Sequence, residues 1–274
     1  MAFTSSTQSE KLLKQVNDGY GPKFATAVPK CPITYRRPPA LNAERVIESA
    51  GVAHANLASS TDKPKGSIEY SEKYHEYTVL QQHVLFWDRD NDGMITPIDV
   101  WVGFRDLGFN LAACLLAATV IPFVFSYGTV MQYSYLPDPF FRLHLGGHGS
   151  DSGIYDSEGR FIPQRFEDVF ANCSVRQDDT LTLREIFDLM SRNRCAMDPF
   201  GWSVSIFEWM TTWTLLAKDG KIHKEDLRRV FDGSLFWEIR EKRHSGEGWH
   251  QGWGLGGDGF VGSRPGVNPR TLTA

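Results

Sequence analysis

The twelve residues from Asp88 to Asp99 read D-R-D-N-D-G-M-I-T-P-I-D, and no other stretch restricts the fold as tightly. A loop that wraps a divalent cation takes oxygen ligands at positions 1, 3 and 5, glycine at 6, a backbone carbonyl at 7 and a carboxylate at 12. Asp88, Asp90, Asp92, Gly93, Met94 and Asp99 fill those places in order, and Ile95 supplies the apolar residue at position 8. A solvated acidic turn is the plainer alternative, but alternate aspartates closing on a glycine favour a metal site. Position 12 usually carries glutamate, long enough to clamp calcium with both oxygens. Asp99 is one methylene shorter, which favours six-coordination and admits Mg2+ beside Ca2+.

Such a loop demands a helix on either side, so the chain is expected to be mainly α. Tyr70, Tyr74, Tyr77, Val84 and Trp87 recur at three- and four-residue steps and predict a helical run from about Glu69 into the loop. Val100 to Leu107 predicts the exiting helix. No charged residue occurs between Asp106 and Asp138, and Leu111 to Met131 has the length of a hydrocarbon core, about 30 Å. Pro122 and Gly128 interrupt that run, so a hairpin or re-entrant segment is expected rather than a clean span. A buried core helix is the alternative.

The rest divides by composition. Residues 1–68 read as a polar, proline-punctuated arm, partly disordered, with a short helix within Leu41–Leu57 and a linker over Ser59–Gly66. Residues 69–106 hold the EF-hand-type helix–loop–helix, 107–143 the apolar, membrane-associating segment, and 144–244 a second helical region. Its predicted helices cover Phe161–Phe170, Leu183–Ser191, Trp202–Leu215 and Glu225–Arg240. The Gly-rich residues 245–274 read as a disordered tail. Ser174–Glu185 and the stretch around Asp219-Gly220-Lys221-Ile222 look like worn copies of the metal loop, with Ser174, Arg176, Leu215 and Ala217 where ligands belong.

A net charge of −4 carries no polybasic signature, so nucleic acid is not an expected partner. Four widely spaced cysteines without a C-x-x-C pair suggest a reducing compartment, and the N-terminus lacks the apolar stretch of a signal peptide. Of the eight histidines, two stand out by context. His83 lies five residues ahead of Asp88 in L-Q-Q-H-V, and His148 opens H-G-S-D-S-G just after the apolar run.

The blocks L-Q-Q-H-V, D-R-D-N-D-G-M-I-T-P, G-F-R, H-G-S-D-S-G-I-Y-D-S-E-G-R-F, D-P-F-G-W and R-R-V-F-D-G-S-L-F occur in order from about Leu80 to Phe236. In that combination the chain resembles the caleosin, or seed-peroxygenase, family. The resemblance implies a single EF-hand protein attached to lipid droplets or to the cytosolic face of the endoplasmic reticulum, with a cytosolic pool allowed. It also implies a haem b peroxygenase that uses a fatty-acid hydroperoxide to oxygenate an unsaturated lipid or small molecule. The family's haem-associated histidines map to His83 and His148, and its calcium ligands to Asp88, Asp90, Asp92, Met94 (through its carbonyl) and Asp99. His83 is the better axial candidate, because the metal-loop helix fixes it. His148 either ligates the other haem face or sits distally and moves the peroxide proton.

If both histidines serve one haem, the chain must enter and leave the apolar environment on the same side. The chain departs from the family in the apolar segment, where Pro122, Pro137 and Pro139 do not make a full proline knot. Three alternatives stand beside the main reading: a non-catalytic calcium-binding lipid-droplet coat protein, a peroxygenase of a specialised metabolite, and a haem-thiolate enzyme using Cys31.

Overall fold

Thr78 begins the helix that carries His83. Its hydroxyl accepts from the Gln81 amide at 3.3 Å and its own amide donates to the Gln81 side chain at 2.9 Å. A reciprocal cap of this kind stabilises a helix start by about 1 kcal/mol. The computed structural model describes residues 30, 40, 42–130, 135–136, 138–144, 152–176, 178–195 and 197–247. The chain divides into two units, Met1–Pro38 and Pro39–Ala274, and the elements named here all belong to the second. The N-terminal arm up to Pro38 (apart from Lys30), Cys31, His148 and the tail beyond Glu247 lie outside the described residues.

Three short helices lead into the acidic loop: α1 (Ala43–Val46), α2 (Ile68–Lys73) and α3 (Val79–Val84). The periodicity predicts one continuous run here, but the Thr78 cap starts a new helix and breaks it after Lys73. The loop contains β1 (Met94–Ile95) and runs into α4 (Pro97–Asp106), which Thr96 caps with Pro97 in its first turn.

The apolar segment forms α5 (Leu111–Val130), followed by β2 (Leu143–His144). The helix runs through Pro122 rather than stopping there, although proline withholds one backbone hydrogen bond. It packs along α4, with Cys114, Ala117, Pro122 and Ser126 turned inward. Leu111, Leu115, Leu116 and Phe123 point outward, each 60% exposed or more. No helix among the described residues is long and apolar enough to cross a membrane.

After α5 the chain returns to its starting point. β2 pairs antiparallel with β1, Met94 opposite His144 and Ile95 opposite Leu143. The chain that follows the apolar segment therefore returns against the loop that precedes it.

The second half repeats the plan. α6 (Pro163–Cys173), β3 (Thr180–Leu181) and α7 (Leu183–Asn193) form one helix–loop–helix, and α8 (Pro199–Leu216), β4 (Ile222–His223) and α9 (Lys224–Phe231) form the next. β3 and β4 pair antiparallel, with Leu181 opposite Ile222. These are the apolar residues at position 8 of the two worn loops, so the degenerate hands face each other as a pair. The final helix, α10 (Ser234–Ser245), is separate from α9. A single helix over Glu225–Arg240 is the sequence expectation, but Gly233 adopts φ +78° and turns the chain between the two.

One apolar cluster joins both halves, including Phe86, Phe104, Phe161, Phe166, Leu181, Ile186, Leu216, Ile222, Leu227 and Ile239. The stretch Ser59–Gly66 is anchored at its start, where Ser59 and Ser60 are buried, while residues 62–65 are exposed. Arg228, 1% exposed, donates to the Ala58 carbonyl and to Asp232, both at 2.9 Å, and to Ser67 at 3.0 Å. Lys224 meets Glu167 at 2.8 Å, and Glu167 also accepts from the Thr61 amide at 2.8 Å. Polar composition suggests solvent, yet a buried cation requires such polar partners around it.

Candidate metal loop and histidine site

The acidic loop is folded around its own carboxylates. Asp88, 2% exposed, accepts from the Asp92 amide at 3.1 Å through Oδ1 and from the Gly93 amide at 3.0 Å through Oδ2. Asp92 Oδ1 accepts from the Met94 amide at 2.8 Å. Gly93 adopts φ +81° with open space where a Cβ would stand, so the turn needs glycine for its backbone conformation.

Ligand atoms of Asp88, Asp90 and Asp92 all lie within 4.8 Å of one another. Burial pushes the Asp88 carboxyl above its ordinary range, and the nearby Asp90 and Asp92 add to that rise. Like charges about 4 Å apart repel by roughly 1–4 kcal/mol, depending on how much solvent screens them. An oxygen-lined cluster carrying that repulsion suits a hard divalent cation.

Asp99 stands apart from this cluster. Its Oδ2 accepts from the Thr96 amide at 2.8 Å and the Thr96 hydroxyl at 2.6 Å, as part of the α4 cap. That arrangement leaves Oδ1 to offer to an ion. Glu185 holds the same position in the second loop and reaches further. Its Oε1 accepts from the Val175 amide and its Oε2 from the Thr182 amide, each at 2.7 Å. One methylene separates a side chain that spans the loop from one that serves its own helix cap.

The worn loops are closed without an ion. Arg176 stands at ligand position 3, and its guanidinium lies 2.9 Å from Asp178 and 3.6 Å from Glu185. Lys221 of the facing loop reaches Asp178 at 3.2 Å. The Thr180 hydroxyl and these two cations hold the Asp178 carboxyl well below its usual range. Protein cations neutralise the acids that remain at positions 5 and 12. The reading of this loop as a structural relic agrees with that geometry.

His83 lies on α3, half-buried, with Nδ1 2.7 Å from the Val230 carbonyl oxygen. A carbonyl oxygen only accepts, so Nδ1 carries the proton and, in the neutral ring, Nε2 carries the lone pair. Phe236 packs against it at 5.1 Å between ring centroids with the planes at 72°, and Phe236 in turn packs on Phe86 at 5.2 Å and Trp87 at 5.7 Å. A neutral imidazole oriented by a backbone carbonyl within an aromatic wall fits an axial haem ligand. The structure thus joins His83 to the acidic cluster through four residues of chain, and the β1–β2 pairing sets Leu143–His144 beside the loop, four residues before His148.

Val230, Gly233 and Phe236 escape the sequence reading as site residues. The signal was present in R-V-F-D-G-S-L-F, where D-G marks a turn inside an otherwise helical pattern.

Comparison with known proteins gives consistent results. The family model for caleosin-related proteins matches residues 75–240. A peroxygenase of Lilium longiflorum is 35% identical over 230 residues, spanning 82% of this chain and 95% of that protein. Probable peroxygenase 4 of Arabidopsis thaliana is 34% identical over 174 residues, spanning 62% of this chain and 89% of that protein. A probable inactive peroxygenase-like protein of Arabidopsis thaliana is 36% identical over 145 residues, spanning 52% and 70%. No solved structure matches the chain.

Proposed function

This chain belongs to the caleosin family, and from that premise we propose that it is a calcium-binding, histidine-ligated haem peroxygenase. The oxygen donor is a fatty-acid hydroperoxide, and the acceptor is an unsaturated lipid or a small apolar molecule. The observation that carries the reading is the Nδ1 contact of His83 with the Val230 carbonyl, which leaves Nε2 as the donor atom toward iron. Identity alone does not separate the active-named from the inactive-named relatives, since all three fall at 34–36%. Activity therefore turns on particular residues, and His83 is the residue this chain offers.

Haem b, when bound, supplies the iron at which the hydroperoxide O–O bond is cleaved. His83 would hold it from one side, with Nδ1 fixed by Val230. His148 would either complete the ligation or hold and return the peroxide proton. Phe86, Trp87 and Phe236 keep water from the His83 side of the site. Ca2+, with Mg2+ as a weaker substitute, would bind Asp88, Asp90, Asp92, the Met94 carbonyl and one oxygen of Asp99. Its work is to fix α3 against α4 and so to hold His83 still.

We place the protein on a lipid droplet or on the cytosolic face of the endoplasmic reticulum. The support is the uncharged outer face of α5, extended by Phe140, which is 68% exposed. A helix packed along the protein on one side and apolar on the other suits a surface-lying element better than a deep hairpin.

The test is an absorption spectrum of the haem-loaded protein beside His83→Ala and His148→Ala, with hydroperoxide-dependent epoxidation measured in parallel. Loss of the Soret band and of epoxidation in His83→Ala is expected. A wild type that takes up no haem would leave a calcium-binding lipid-surface protein as the better account.

A further inference from the structure

We infer that the turn between α9 and α10 is the positioning element of the haem site. Through the Val230 carbonyl and the close approach of Gly233, it selects the His83 tautomer and aims Nε2. The inference rests on the axial reading of His83 given above, and it adds Gly233 and the turn as a unit, to which that reading assigns no role.

Three observations converge on this turn. First, Val230 lies in the last turn of α9, and its carbonyl accepts from the Gly233 amide at 3.1 Å, which fixes the direction of that oxygen. Its oxygen accepts from His83 Nδ1 at 2.7 Å, so a helix-end carbonyl is used to orient a side chain 147 residues away in sequence. Second, Gly233 is pressed against the backbone of the same histidine. A Cβ at Gly233 would stand 2.7 Å from His83 Cα, 2.9 Å from the Gln82 carbonyl oxygen and 3.2 Å from the His83 amide nitrogen. All three atoms are backbone, so nothing flexible can give way. Third, Phe236 in the first turn of α10 packs against the imidazole at 5.1 Å between centroids, the two rings at 72°, which limits rotation of the imidazole.

One turn therefore meets the histidine by its carbonyl, by its missing side chain and by an aromatic ring. Gly233 needs glycine twice, for φ +78° and for the space, and the two demands separate experimentally. Gly220 has φ +72° with nothing within 4 Å of a Cβ, so Gly220→Ala carries backbone strain without the close approach.

The first experiment needs no haem. Long-range proton–nitrogen correlation spectra of the haem-free full chain, assigned against His83→Gln, report which ring nitrogen of His83 is protonated. At neutral pH the Nδ1–H form is expected to dominate, and a dominant Nε2–H form would overturn the inference. The second compares Gly233→Ala with Gly220→Ala. Gly233→Ala is expected to weaken haem binding by about 10- to 100-fold, the range seen when an outer partner of a ligand is disturbed. It should also shift the Soret band and mix the His83 tautomers, while Gly220→Ala leaves all three as in wild type. Equal effects in the two variants, or an unshifted tautomer in a folded Gly233→Ala, would overturn the inference. If Gly233→Ala does not fold, the wild-type tautomer still decides. Haem binding unchanged in His83→Ala would sink the axial reading while leaving the tautomer result to stand by itself.

Discussion

Met94 and His144 are cross-strand partners, joining the acidic loop to the chain that emerges from the apolar helix. The loop follows the helix of His83, with four residues between His83 and Asp88, and it pairs with the strand that ends at His144. An ion that sets the loop conformation is expected to act on α3 and on β2 at once. Asp88→Ala is expected to abolish metal binding and also to lower haem occupancy, measured by calorimetry and by the Soret band on one preparation. Full haem retention in that variant would break the proposed coupling.

The length of Asp99 governs the choice of metal. Its Oδ2 is committed to the Thr96 cap, whereas Glu185 in the second loop caps its own helix with one oxygen and reaches the Val175 amide across its loop with the other. Asp99→Glu is expected to raise calcium affinity by an order of magnitude or more and to leave magnesium affinity nearly unchanged, because only calcium accepts a bidentate carboxylate at that place. Titration of the two ions by calorimetry checks it; a parallel gain for both ions would contradict the argument.

Arg176 and Lys221 stand in for an ion between the worn loops. The wild-type protein is expected to bind calcium at the first loop alone, and chelation should leave the α6–α9 half folded. Amide hydrogen exchange with and without chelator distinguishes the halves. Arg176→Ala removes the internal cation from Asp178 and Glu185, and the exchange of Val175 and Thr182 amides is expected to quicken.

The C-terminal helix is held by Asp106. Burial opposes its ionisation, but hydrogen bonds from His244, Arg89 and Arg240 prevail and hold the carboxyl below its ordinary range. A carboxyl whose folded pKa lies below its unfolded value adds stability that is complete above the unfolded value and is lost as pH falls through the folded one. Asp106→Asn is expected to cost about 1–2 kcal/mol at neutral pH, since it leaves three part-exposed donors without their charged acceptor. Its stability should then change less on acidification than that of wild type. Thermal unfolding across the acid range provides the check, and parallel curves would refute the assignment.

The outer face of α5 is the proposed contact with lipid. Leu115→Glu or Phe123→Glu is expected to reduce flotation with phospholipid-coated oil droplets several-fold while leaving calcium binding intact, because both side chains are more than 60% exposed and support no core. Undiminished flotation in the double variant would rule this face out.

What the sequence determined by itself was local. The loop from Asp88 to Asp99 is legible because its ligands, its glycine and its apolar position lie within twelve residues and follow from the geometry of one ion. The helices at Pro97–Asp106 and Leu183–Asn193 are legible for a related reason, since their caps lie three residues apart in the chain. Tertiary structure decided whatever depends on residues far apart in sequence. The Ser59–Gly66 stretch reads as a linker until Lys224 and Glu167 are brought to Thr61 from more than a hundred residues away. The Glu225–Arg240 run reads as one helix because its apolar spacing continues across Asp232–Gly233, and spacing does not record that a histidine backbone must pass at that point. The direction in which His83 presents its lone pair is set by a carbonyl, a group that every residue carries and no sequence pattern marks.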